Sequence, residues 1–277
     1  MRIRATVAAL TGTLALSALV VPAAQAADEP SAPKFAPFKA NAPVDEAIGD
    51  TKITKVVVNG GKNIVVGTTE KKTFKVAVTA TDPEGIYDAD AMLWHGSDIE
   101  SDIDGLLFSD EDGATCKVVD ATTSTCTVNV TVDPTLDLYS NILAGKWKVS
   151  ANAIGNDGDY VIKDTFGYAS MQRNARLTTN ASPEPVKKGK TLTVTGALTR
   201  ANWDTSKYAG YTKQSVKLQY KKKGAASYST LKTITSDTKG NLKTTVTASA
   251  DGYYRYVFAG TSTTPAVTST ADFVDVN

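Results

Sequence analysis

One histidine, His95, is all the imidazole in a chain of 277 residues, and cysteine appears only at Cys116 and Cys126. A zinc site built on several histidines is therefore excluded, and any Ser-His-Asp or Cys-His arrangement would hang on His95 alone. His95 lies in LWHGSD beside Trp94, the end of a strand, where a half-buried or surface role is expected. G-x-S-x-G, a Walker loop and a G-x-G-x-x-G after a strand are also missing. Acidic residues are plentiful enough for a glycosidase-type carboxylate pair, yet short strands alone offer no concave scaffold to hold one. The chain is expected to be no enzyme, and it has no nucleic-acid-binding motif.

Long apolar runs are scarce as well. Residues 5–21 form the one extended apolar stretch, broken by Thr11, Gly12, Thr13 and Ser17. A membrane span needs about 20 predominantly apolar residues. Arg2 and Arg4 precede the run and Ala24-Gln25-Ala26 follows it, the order of a secretory signal peptide cleaved before Ala27. No cysteine near that site offers a lipid anchor, and the C-terminal TADFVDVN has neither an apolar tail nor a basic stop. The mature protein is expected to be secreted and extracellular, without a membrane span. In an oxidising compartment Cys116 and Cys126 read as one disulfide. The sequence between them turns at 120–123, so the bridge should close a hairpin across its strands.

What the chain has in abundance is short alternation of apolar and polar residues. Residues 27–48, rich in Ala, Pro and Lys, read as a flexible leader. Beyond them KITKVVV, NIVVG, TFKVAVTAT, TCTVNVTV, KWKVSANA and DYVIKDTFGY read as strands, with Phe74, Val76, Val78 and Ala80 on one face. LDLYSNILA (136–144) alone looks helical, as a connector of one or two turns. A second set of short strands, separated by KKGK, KKGA, DTKGN and SADG, follows from about residue 173. The expected fold is all-β: two tandem immunoglobulin-like antiparallel β-sandwiches, residues 49–172 and 173–277, after a signal peptide (1–26) and the leader (27–48). Charge divides at the same place. Residues 27–172 hold 12 basic against 23 acidic side chains, a net of −11, and residues 173–277 hold 16 against 6, a net of +10. Such a split suits different partners for the two halves, their mutual attraction, or simple solubilisation with opposite signs.

Two acidic regions are candidates for calcium, a hard cation that takes six to eight oxygen ligands. Residues 100–111, ESDIDGLLFSDE, match an EF-hand loop at Asp102, Asp104, Gly105 and Glu111. Glu100 departs from the pattern where a short Asp is needed, Ile103 and Phe108 add bulk, and no helix follows. The stretch is expected to be an acidic loop between strands that contributes ligands rather than a self-sufficient site. The better candidate rests on strand order. If TFKVAVTAT and KWKVSANA are the second and sixth strands of a sandwich, the loops that follow them meet at one end. Asp82, Glu84, Asp88, Asp157 and Asp159 would then converge, and such carboxylates repel one another unless a cation or protons neutralise them.

The basic half interleaves Tyr208, Tyr211, Tyr220, Tyr228, Tyr253, Tyr254 and Tyr256 with Lys213, Lys217, Lys221, Lys222 and Lys223. These residues suit an anionic cell-wall polymer or a polysaccharide. They equally suit a sandwich core filled by alternating tyrosines, with lysines protecting an edge strand. GKTLTVTGALTRANW, YAGYTKQSVKLQYKKKG, TLKTITSDTKGNLKTTV and DGYYRYVFAGTSTTPAV resemble an immunoglobulin-like module of secreted actinobacterial proteins of the streptomycete type, often labelled calcium-binding or uncharacterised. The resemblance covers residues 176–277 and implies compartment and fold. KWKVSANAIGNDGDY resembles bacterial immunoglobulin-like repeats more loosely. The functions expected are a secreted non-catalytic binding or surface-structural protein with a calcium-stabilised first domain, a dedicated calcium-binding protein, or a binder of cell wall or polysaccharide. Partners would be an extracellular protein or an anionic cell-wall polymer.

Overall fold

The computed structural model describes residues 45–277; the expected signal peptide and all but the end of the expected leader lie outside them. Ten strands make the first half: β1 (Glu46–Ile48), β2 (Lys52–Val58), β3 (Ile64–Val66), β4 (Lys72–Thr81), β5 (Ile86–Asp98), β6 (Asp102–Leu107), β7 (Thr115–Val118), β8 (Thr123–Val132), β9 (Gly145–Gly155) and β10 (Tyr160–Arg173). Ten more make the second: β11 (Ala175–Leu177), β12 (Asn180–Ser182), β13 (Thr191–Asn202), β14 (Lys207–Gly210), β15 (Ser215–Lys222), β16 (Ser229–Thr235), β17 (Asn241–Thr247), β18 (Gly252–Phe258), β19 (Val267–Thr268) and β20 (Asp272–Val274). The protein is all-β, as expected.

In the first half, a sheet ordered β1-β10-β9-β5-β6 faces a second ordered β2-β4-β8-β7, and β3 joins β10 in parallel. Alternation decides which side chains fill the space between them. Phe74, Val76, Val78 and Ala80 of β4 and Cys126, Val128, Val130 and Val132 of β8 point inward, against Leu93 of β5 and Trp147, Val149, Ala151 and Ala153 of β9. Each fully buried Val or Leu contributes about 1.5–3 kcal/mol. The helical expectation for 136–144 fails except for one 3₁₀ turn, Asn141–Leu143. Leu143 is buried there and its carbonyl accepts the Trp147 indole N–H at 2.7 Å. Leu138 is buried too, whereas Ile142, Leu136 and Tyr139 are exposed; two buried side chains five residues apart would not share one face of a helix, so the core contacts override the helical apolar period.

In the second half, β15 and β18 form the centre of one sheet, flanked by β16, β19 and β20. The long strand β13 organises the other, pairing β12 and β17 along its first part and β11 and β14 along its last. Leu192, Val194 and Leu198 of β13 meet Val216, Leu218, Tyr254, Tyr256 and Phe258 in a second core. The two cores are not cleanly divided at residue 173. Ala201 and Trp203, just past Leu198, are buried in the first core, and the Trp203 indole donates to Gly67 O at 2.9 Å.

Candidate functional site

The loops after β4 and β9 meet, although these are the fourth and ninth strands and lie in opposite sheets. Each loop is shaped by its own acidic residue. After β4, Asp82 Oδ1 accepts the Glu84 N–H at 2.9 Å and Asp82 O accepts the Gly85 N–H at 3.0 Å, with Gly85 at φ +87°. Between β9 and β10, Asp157 Oδ1 accepts the Asp159 N–H at 3.1 Å, and Gly158 supplies the left-handed turn at φ +94°. Asn156 then ties one loop to the other: its N–H donates to Gly85 O at 2.9 Å and its side-chain amide to Glu84 O at 2.8 Å.

A third segment enters from the start of β2. The Asp50 N–H donates to Asp159 Oδ2 at 2.9 Å, and the Thr51 hydroxyl to Asp82 Oδ2 at 2.5 Å. The result is a knot of carboxylates around Asp82, which is buried. Ligand oxygens of Asp82, Asp157 and Asp159 lie within 4.8 Å of one another, and so do those of Asp50, Asp82 and Glu84. Oxygens bound 2.3–2.6 Å from one calcium ion stand at most about 5 Å apart, so each set is compact enough to share one. Among the described residues none of the five carboxylates is in an ion pair. Partial desolvation, then the negative charges of Asp157, Asp82 and Asp50, raises the Glu84 carboxyl above the ordinary carboxylate range. Glu84 is exposed, so it is the neighbouring charges that matter for what the site can hold. Gly155 completes the packing: a Cβ there would collide with Asp82 Oδ2 and stand 2.8 Å from Asp157 Oδ1.

Four of the sequence-expected residues, Asp82, Glu84, Asp157 and Asp159, thus come together, and Asp50 joins them. Asp88 does not: it lies within β5, not in the loop, and accepts from the Ala114 N–H at 3.3 Å. It also stands 3.8 Å from Cys116 Sγ, a sulfur committed to the Cys116–Cys126 disulfide between directly opposed residues of β7 and β8. The EF-hand-like stretch is not a loop where it matters, because Asp102–Leu107 is strand β6. Asp102 accepts from the Ser97 hydroxyl, Asp104 Oδ1 lies 2.5 Å from His95 Nδ1, and Glu111 accepts the Asn129 N–H at 2.8 Å. Among the described residues none of these three belongs to a compact ligand group. Gly105, expected to bend a calcium loop, is a strand glycine whose Cβ would stand 2.7 Å from the Trp147 ring. His95 is half-buried against that same ring, the centroids 5.6 Å apart.

Asp50 escaped the sequence reading because it falls between the expected leader and the first alternating run. The adjacent Gly49, at φ +77°, was its signal: a side chain there would collide with the Asp159 carboxylate.

Residues 63–153 match a family of unknown function, DUF5707. No curated protein matches the chain. Among solved structures, the chain is similar to a marsupial T cell receptor at 13% identity, with a TM-score of 0.37 over 82% of this chain and 73% of that one. It is also similar to the D00-D0 domain of intimin at 14% identity (TM-score 0.26; 79% of this chain, 98% of that one). A third such structure is the Yersinia pseudotuberculosis adhesin InvE, at 13% identity (TM-score 0.26; 79% and 58%). Identities and scores this low leave function to be argued from the residues. Among the described residues no helix is long and apolar enough to cross a membrane.

Proposed function

We propose that the chain is a secreted, non-catalytic binding or surface-structural protein whose first sandwich is fastened at one end by calcium. The single observation carrying the cation is the meeting of Asp50, Asp82, Glu84, Asp157 and Asp159, drawn from three separate segments. A carboxylate knot of this kind costs electrostatic repulsion in the folded state, and a bound hard cation converts the repulsion into attraction. The loops are already held by backbone bonds, so the ion would find its oxygens largely arranged. Bound there, it would cross-link the start of β2 with the loops after β4 and β9.

Two clefts among the described residues bear on the non-catalytic part of this reading. A hollow of about 300 Å³ beside the β9–β10 hairpin is lined by Ile154, Tyr160, Val161 and other residues, none of them acidic. A polar cleft of about 210 Å³ holds one carboxylate, Glu70, among Lys71, Lys72, Arg176 and Tyr208. Neither holds a pair of carboxylates.

Isothermal titration of the full chain with calcium, after dialysis against chelator, tests the reading. Saturable heat in the wild type, lost in Asp82→Asn and kept in Asp104→Asn, is expected. No heat in the wild type, or equal heat in both variants, would contradict the site.

A further inference from the structure

The tyrosines of the basic half are sorted by strand alternation into two sets with different surroundings. Tyr254 and Tyr256 of β18 point inward, where the Tyr256 hydroxyl donates to Val194 O at 2.9 Å. Tyr211 packs edge-on against Phe258 and Tyr220 against Tyr254 in the same core. Those rings are structural. Tyr253 leaves the opposite face of β18, directly across from Lys221 of β15 on one side and Phe273 of β20 on the other.

That outward face is unusual for a solvated sheet. Lys221, Tyr253 and Phe273 lie in a row across β15, β18 and β20, with Tyr228, from the turn just before β16, beside Lys221, and each is partly exposed. The Tyr253 and Phe273 rings are 5.1 Å apart, and Lys221 Nζ lies 5.1 Å from the Tyr228 ring and 5.3 Å from that of Tyr253. Arg255 stacks 3.7 Å over Tyr228 and is held by Gln219 Oε1 at 2.9 Å. Lys223 stands 5.6 Å from Phe273 at the end of the row. Of the two bordering carboxylates, Asp251 accepts the Val276 N–H at 3.0 Å and pairs with Lys223 at 3.4 Å, so that Lys223 is already neutralised, and Asp272 accepts the Ala181 N–H at 2.7 Å. Strand β17, which pairs with β13 in the other sheet, has no such row and exposes Lys243, Thr245 and Thr247 singly.

We propose that this face of β15, β18 and β20, with the turn before β16, docks an anionic polysaccharide. Sugar rings have an apolar face that stacks on aromatic side chains, and their carboxylates meet Lys221 and Arg255. Side chains about 4.8 Å apart on successive strands of an open sheet face suit an extended polymer rather than an enclosed small molecule. Charge favours the same partner: the half that carries the face has a net of +10, and the other half, at −11, repels a polyanion and so confines it here. The inference rests on the reading of the chain as a binding protein, and not on the calcium site.

Affinity electrophoresis of the full chain through gels containing polygalacturonate, with dextran as the neutral control and chelator present throughout, decides it. Retardation by polygalacturonate alone is expected, weakened about tenfold in Tyr253→Ala/Lys221→Ala and unchanged in Lys243→Ala, which removes a charge away from the row. Lys221→Gln, which keeps the side-chain stem, guards against a folding defect and should weaken retardation in the same direction. No retardation, equal loss in Lys243→Ala, or equal binding of an inorganic polyphosphate by the wild type and the double variant would overturn the proposal. Retardation seen only in a parallel gel with calcium in place of chelator would also overturn it, because that binding would belong to the carboxylate knot instead.

Discussion

Gly155 shows how tightly the carboxylates are set. With no space between Asp82 and Asp157 for a methyl group, Gly155→Ala should cost about 1–3 kcal/mol in denaturant unfolding, the usual penalty of overpacking. Glu84 gives the site a pH signature. Its folded value is raised above 4.5, so in the absence of calcium its stabilising contribution is complete below pH 4.5 and is lost as pH rises through the raised value. The calcium-free wild type should therefore lose stability relative to Glu84→Gln over that interval, measured by parallel melts from pH 4 to 7, and parallel curves would contradict it. At this scale the sequence was legible where alternation or turn chemistry speaks. Asp82 and Asp157 sit beside turn glycines and were visible. Asp50 and Gly105 were not, because a ligand at a strand's start and a glycine yielding to Trp147 are fixed by contacts distant in sequence.

β7 is the element that least explains itself by burial, since all four of its side chains are exposed. Its attachment to β8 rests on the backbone ladder and the Cys116–Cys126 bridge. Closing a loop of this length is worth about 2–3 kcal/mol, so Cys116→Ser/Cys126→Ser should lower unfolding free energy by that amount. Hydrogen exchange should quicken first in residues 115–118, and uniform quickening would argue against local release. The disulfide was legible from spacing and compartment alone. β5 was only half legible: Ala89, Ala91 and Leu93 alternate inward, but Asp88 and Asp90 between them gave the segment the composition of a loop. β6 was hidden in the same way by Asp102 and Asp104, and small inward residues are a weak signal against outward acids.

Across the whole molecule, β13 serves both cores, beginning at Leu192 in the second and leading to Trp203 in the first. The joint is polar: Arg173 Nε donates to Ala201 O at 2.6 Å, Asn141 Oδ1 accepts the Trp203 backbone N–H at 3.0 Å, and Gln172 donates to Thr261 O at 3.0 Å. Two sandwiches were legible from strand spacing, whereas the crossing of one strand between cores was not, since periodicity reports that a face is buried and not against what. Trp203→Ala should cost about 3–5 kcal/mol and split one calorimetric transition into two; a single transition merely shifted would argue that the halves are coupled elsewhere. The calcium reading also has its plainest consequence for the whole chain, because a ligand that binds only the folded state must raise its melting temperature. The decisive measurement is thermal melting of the full chain in millimolar calcium against chelator, for the wild type and Asp157→Asn/Asp159→Asn. The wild type should melt higher in calcium and the variant should melt alike in both; identical wild-type melts in calcium and chelator would contradict the account.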